Sequence, residues 1–297
     1  MSDVRQVGTR AELLSLPRGA AAGGPVALVP TMGALHEGHA ALIRAAREAT
    51  HGPVVVSVFV NPLQFAPGED LDRYPRTLDA DLEVCAGAGA DVVFTPSVAE
   101  MYPDGVSTGA TDAVSVDAGP LGTILEGASR PTHFRGVLTV VAKLFGLVRP
   151  DLAFFGEKDY QQLVLIEQMA RELCLGVDVC GVETVRDADG LARSSRNQYL
   201  SDEERTVALA LSRALSAARE RAAYGVPSAR WAAMKVLTGE PGLDLDYLAL
   251  RSEDLTVDLS EEPDLPTTTG RVLVAARVGN TRLIDNMPIE FTTRGGA

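Results

Sequence analysis

The sequence predicts an α/β protein, with a doubly wound parallel sheet over residues 1–186 and a smaller α+β domain over residues 187–297. Three observations predict it. Five short apolar runs in the first part alternate with helix-length stretches, as in successive βαβ units. Those runs are continuously apolar, as expected of strands covered on both faces. The pattern then changes after Asp187-Ala188-Asp189-Gly190, where Ala/Arg-rich helical sequence gives way to a hairpin pattern.

Residues 26–29 read as the first strand, broken by Pro30-Thr31 and followed by a helix over 40–49. Strands are expected at 54–60, 92–95, 152–155 and 177–185, with helices at 78–88, 138–148 and 160–173. In Rossmann-like sheets of this kind, ligands bind outside the C-terminal strand ends. Pro30-Thr31, Asn61-Pro62 and Gly156-Glu157 all fall just past such ends, so they are expected to line one cleft. Beyond residue 187, helices are expected at 202–223 and 228–237, then strands at 247–250, 271–278 and 281–288. An acidic, Pro-containing loop at 260–269 interrupts them, and Gly279-Asn280 reads as a hairpin turn.

Forty acidic residues against 27 basic ones give a net charge of −13. Such a surface repels nucleic-acid backbones and anionic lipid, which argues against either as a partner. No apolar run approaches a membrane span, and residues 1–10 lack a signal-peptide apolar core. Three cysteines without CxxC spacing, Cys85, Cys174 and Cys180, fit buried, reduced thiols in a cytoplasm. His51 and Trp231 also read as structural. Lysine occurs only at 143, 158 and 235, which draws attention to Lys158 as a compact point charge.

Two of the four histidines lie three apart in His36-Glu37-Gly38-His39, at the start of the helix after the first strand. That spacing puts both imidazoles on one helix face, beside backbone N–H groups and the positive dipole end. The combination suits a polyphosphate. A zinc site would want a third or fourth ligand, and none lies at ligand spacing.

Six motifs in order resemble those of the pantoate–β-alanine ligases, a family within the HxGH nucleotidyltransferase group. They are Pro30-Thr31-Met32-Gly33-Ala34-Leu35-His36-Glu37-Gly38-His39, Phe59-Val60-Asn61-Pro62-Leu63-Gln64-Phe65 and Tyr74-Pro75-Arg76-Thr77. Further along come Pro131-Thr132-His133-Phe134-Arg135-Gly136-Val137, Phe155-Gly156-Glu157-Lys158-Asp159-Tyr160-Gln161-Gln162 and Ser194-Ser195-Arg196-Asn197. The resemblance implies a cytoplasmic homodimer that uses ATP and magnesium to join pantoate to β-alanine through a pantoyl adenylate. The product would be pantothenate, a coenzyme A precursor, with AMP and pyrophosphate released.

The residue chemistry agrees with that reaction. Activating a carboxylate at the α-phosphorus of ATP requires neutralised phosphates and an in-line attacker. His36, His39, Lys158 and Arg196 supply that inventory as catalytic candidates. ATP contacts are expected from Met32, Gly33, Gly156, Glu157, Asp159, Val185, Arg193, Ser194 and Ser195 as well. Gln64 and Gln162 are polar residues in apolar stretches, able to donate and accept without adding charge. By resemblance they bind pantoate, with Asn61 a further polar contact. Arg130 is a candidate for the β-alanine carboxylate, and a surface arginine is the alternative.

The sequence departs from the family twice. Arg193 stands where an apolar residue is usual, which puts apolar packing against adenine in question. Near Asp79-Ala80-Asp81, some members place adjacent acids credited with magnesium, whereas an alanine separates the two here. The protein ligands of magnesium are therefore unknown, and ATP with water is its expected holder. The segment 67–77, polar and close behind Gln64, is expected to close over the bound substrates.

Two other readings compete. Another adenylyl transferase of the group is one, although the acidic surface and the absence of a basic C-terminal domain argue against a tRNA substrate. A non-catalytic nucleotide-binding regulator is the other. It predicts loss of the phosphate-binding set, whereas His36, His39, Lys158, Ser195 and Arg196 are all present.

Overall fold

Valine-rich, almost wholly apolar runs become the middle of a parallel sheet. A computed structural model describes residues 4–16, 23–66, 70–106, 113–261 and 268–291. The chain divides into two compact units, Met1–Glu157 with Gln161–Glu183, and Lys158–Tyr160 with Thr184–Ala297.

The first unit runs β1 (Arg5–Val7), α1 (Arg10–Leu14), β2 (Ala27–Thr31), α2 (Glu37–Ala49), β3 (Val54–Val58), α3 (Leu78–Ala88) and β4 (Val92–Phe94). It continues with α4 (Val98–Met101), α5 (Glu126–Ser129), α6 (His133–Val148), β5 (Leu152–Gly156), α7 (Tyr160–Glu172, in this unit from Gln161 onward) and β6 (Asp178–Val182). Its strands lie in the order β1-β4-β3-β2-β5-β6, and every neighbouring pair is parallel. The order reverses between β2 and β5, and sheets of this kind bind ligands outside the C-terminal strand ends at such a point. Ala27, Val29, Val54 and Val56 pack against Ile43 and Ala46 of α2 and Cys85 and Ala88 of α3.

In the second unit, α8 (Asp202–Arg221) and α9 (Val226–Thr238) precede β7 (Leu243–Ser252), β8 (Thr268–Val278) and β9 (Thr281–Phe291). Ser201 and Glu204 form a capping box at the start of α8. The three strands pair antiparallel in chain order, and Val278 opposite Thr281 closes the hairpin at Gly279-Asn280. Alternate residues Val272, Val274, Ala276 and Val278 join Leu211 and Leu215 of α8 in one core. The α/β architecture with a smaller α+β part is the one expected. Among the described residues, no helix is long and apolar enough to cross a membrane.

Several boundaries differ from expectation for physical reasons. β1 and α1 went unread because Arg5 and Gln6 are exposed on a three-residue edge strand, which shows no apolar run. The helix α6 starts at His133 rather than 138, since Gly136 permits a close approach described below. β7 begins at Leu243 rather than 247, and its alternating Leu243-Asp244-Leu245-Asp246 is a half-buried strand pattern. Of the three cysteines expected to be buried, Cys85 is buried, Cys180 half-buried and Cys174 exposed. Trp231, expected to be structural, is exposed with Lys235 over its ring. Residues 67–69 of the expected cover lie outside the described residues. Beyond them, Asp70–Arg73 forms one 3-10 turn, and Tyr74 is buried edge-on against Phe65.

Candidate active site

The loop after β2 is held from inside the protein. The Thr31 hydroxyl donates to the Ser57 carbonyl at 2.7 Å, tying the strand end to β3. Ala34 then adopts a left-handed φ of 52°, a costly conformation for a residue with a Cβ. Asp81, buried on α3, accepts from the Leu35 N–H at 2.8 Å, the Ala34 N–H at 3.2 Å and the Thr77 hydroxyl at 3.1 Å. Its carboxylate is thus committed to the loop, while Asp79 is exposed. Among the described residues, no group of three or more His, Cys, Asp or Glu side chains could hold a metal ion. The two acids do not fit a protein-built magnesium site.

The loop delivers the histidines to the start of α2. His36 is the N-cap, and its Nδ1 accepts the Gly38 N–H at 3.1 Å. The His36 N–H donates to Nδ1 of His39 at 3.2 Å, completing a reciprocal cap. A backbone N–H can only donate, so both Nδ1 atoms act as acceptors and each neutral ring carries its proton on Nε2. The ring centroids lie 4.1 Å apart. The intervening glycine is required by space, because a Cβ at Gly38 would stand 2.8 Å from His36 Cε1.

A second cluster forms where β3 ends. Gln64 is buried, its Nε2 donating to Met32 Sδ at 2.9 Å and its Oε1 accepting from Asn61 Nδ2 at 3.1 Å. Asn61, expected to touch substrate, is 1% exposed and has both amide atoms engaged. Its Nδ2 also donates to the Gly136 carbonyl, and its Oδ1 accepts from the Tyr102 hydroxyl at 2.7 Å and the Leu63 N–H. That geometry makes Asn61 a support for Gln64. Arg130 Nη2 donates to the Gln64 carbonyl at 3.1 Å, and His133 Nδ1 lies 2.9 Å from the same oxygen. No local pattern pointed to these partners, which lie 66 and 69 positions away. Gln162 is half-buried on α7. Its neighbour Gln161 is buried and spent on structure, accepting from the Glu126 N–H and donating to the carbonyls of Leu121 and Ile124.

Gly156 ends β5, and Glu157 starts a 3-10 turn that continues through Lys158 and Asp159. Lys158 is one-fifth exposed, with its ammonium 3.7 Å from the Asp159 carboxylate. In the second unit, the Arg193 N–H donates to the Val185 carbonyl, closing a small loop. The Arg193 side chain turns to Asp187 at 2.6 Å, and Arg205 pairs with the same carboxylate at 2.8 Å. Burial alone would raise the Asp187 carboxyl, but the two arginines outweigh it and hold it below its ordinary value. The charge of Arg193 is therefore compensated within the protein. Ser194 caps the next 3-10 turn by accepting the Arg196 N–H, and Ser195 and Arg196 are half-buried in that turn.

The family model of the pantoate-beta-alanine ligases matches residues 4–288. A pantothenate synthetase of Nocardioides sp. is 61% identical over 295 residues, covering 97% of this chain and 86% of that protein. The crystal structure of pantothenate synthetase from Thermus thermophilus superposes with a TM-score of 0.86 at 49% identity, over 96% of this chain and 99% of that one. The pantoate-beta-alanine ligase of Francisella tularensis, solved with beta-gamma ATP and beta-alanine, gives a TM-score of 0.74 at 31% identity over 96% and 97% of the two chains. This chain belongs to the pantoate–β-alanine ligase family and is a ligase that forms an amide bond.

Proposed function

We propose that the protein activates pantoate with ATP as a pantoyl adenylate and then transfers the pantoyl group to β-alanine. A pantoate carboxylate oxygen attacks the α-phosphorus and pyrophosphate leaves. The β-alanine amine then attacks the activated carbonyl, AMP departs with that oxygen, and the amine proton is lost. The observation that carries this reading is the paired cap at α2, which fixes a proton on Nε2 of both His36 and His39. Two oriented donors beside a helix N-terminus stabilise negative charge that builds on phosphate oxygens.

Lys158 and Arg196 supply the positive charge that balances the departing pyrophosphate. Met32, Gly33, Gly156, Glu157, Asp159, Val185, Ser194 and Ser195 contact the nucleotide, and Arg193 does so through its backbone, since its side chain is engaged by Asp187. Gln64 and Gln162 bind pantoate, with Asn61 orienting Gln64. Arg130, whose guanidinium fork suits a carboxylate, receives that of β-alanine. Magnesium accompanying ATP would be held by the nucleotide's phosphates and water, and would neutralise phosphate charge there. The reading extends to a homodimer working in the cytoplasm, in keeping with three free cysteines.

Exchange of labelled pyrophosphate into ATP with pantoate as sole co-substrate tests the first half-reaction. Exchange without β-alanine is expected. Exchange that requires β-alanine, or that runs equally well with amino acids, contradicts the assignment.

A further inference from the structure

The turn that carries Lys158 is gripped by the three-stranded sheet. Residues Lys158–Tyr160 cluster with the second unit although the chain on both sides belongs to the first. The grip is polar, and its two sheet residues, Arg271 and Asn286, are buried. Asn286 of β9 is 3% exposed and donates from Nδ2 to the Lys158 carbonyl at 2.9 Å. Its Oδ1 accepts from Arg271 Nη1 at 2.8 Å, and the Arg271 guanidinium lies 3.7 Å over the ring of Tyr160. The Tyr160 hydroxyl donates to the Glu253 carbonyl at 3.0 Å, holding the far end of the turn.

Strand pairing explains why these side chains meet. Asn286 stands opposite Leu273, and Arg271 opposite Pro288, so Arg271 and Asn286 are diagonal neighbours on one face. The opposite face carries Val272, Val274 and Ala276 into the core with α8. One residue before Asn286, Asp285 accepts both Arg186 guanidinium nitrogens, at 2.6 and 2.8 Å. Asp285 also accepts the Asn286 N–H at 2.7 Å. The backbone at Asn286 is therefore fixed from two directions.

We propose that Asn286 and Arg271 are positioning residues for Lys158, setting where its ammonium stands along the path of the phosphates. The proposal rests on the assignment of Lys158 to ATP. A flexible four-carbon side chain is aimed only as well as the backbone that bears it, and this backbone sits in a short 3-10 turn. One bond from a buried amide anchors the Lys158 carbonyl within the turn, and Arg271 orients that amide. Electrostatic catalysis loses efficiency when the charge is displaced by about an ångström.

Asn286→Asp removes this bond. The variant keeps the shape and the acceptor for Arg271 but replaces the donor facing the Lys158 carbonyl with a second acceptor. Pantoate-dependent pyrophosphate exchange should fall about tenfold to a hundredfold, the equivalent of one lost buried hydrogen bond. The KM for pantoate should stay within about twofold, because a transition-state interaction is what is removed. Asn286→Ala, which only deletes atoms, serves should the aspartate variant fail to fold. The cycle with Lys158→Ala decides the route of the effect. If Asn286 acts through Lys158, the double variant is no slower than Lys158→Ala alone. Wild-type exchange in the folded Asn286 variants overturns the proposal, as does a loss that multiplies with that of Lys158→Ala. Wild-type exchange in Lys158→Ala itself would instead overturn the assignment of Lys158 to ATP.

Discussion

His36 and His39 each spend one ring nitrogen on the backbone, and this fixes what the other can do. A His39→Ala variant keeps the Gly38 cap on His36 but loses one oriented donor. Adenylation should fall about a hundredfold to a thousandfold, the usual loss for one such donor. Pantoate affinity should change little. Single-turnover adenylate formation at the wild-type rate would end the assignment. For Lys158, replacement by arginine should cost nearly as much as replacement by alanine, because a planar fork does not reproduce a point charge in a tight cradle. Steady-state turnover near the wild-type value in Lys158→Arg would reduce Lys158 to a bystander. At this scale the histidine pair was legible, because residue type and spacing i, i+3 put both rings on one face. The duties of Asn61, Asp81 and His133 were not. Asp81 reaches Leu35, Asn61 reaches Gly136 and His133 reaches Gln64 across 46 to 75 positions of chain, separations that no local pattern encodes.

Among the elements, α6 does more than cover the sheet. Its first turn brings Gly136 against the Asn61–Gln64 turn, where an added Cβ would stand 2.3 Å from the Leu63 carbonyl oxygen. Gly136→Ala must push this turn away, and such overpacking typically costs about 1–3 kcal/mol. The expected result is a lowered melting temperature and weaker pantoate binding, with ATP binding alone unaffected in calorimetry. Unchanged pantoate affinity would separate the turn from the substrate. The central strands were legible because β2 and β3 are buried on both faces and nearly all apolar. β1 was not, since an exposed three-residue edge strand takes its place by pairing with β4. The start of α6 was hidden for a related reason. A glycine that reads as a helix breaker is there for close packing, at about 1 kcal/mol of lost helix propensity.

For the whole molecule, composition marked the change of character near residue 187, and the division by contacts falls after Glu183. The return of Lys158–Tyr160 to the second unit was not legible, because it depends on Asn286, 128 positions downstream. One claim governs the chemistry, that pantoate is activated at the α-phosphorus of ATP. Pantoate labelled with heavy oxygen in its carboxylate tests that claim most directly when turned over with ATP and β-alanine. Mass spectrometry should find one labelled oxygen transferred to AMP and none in pyrophosphate. Label in orthophosphate or pyrophosphate, with unlabelled AMP, would mean that the carboxylate attacks another phosphorus and would contradict the account.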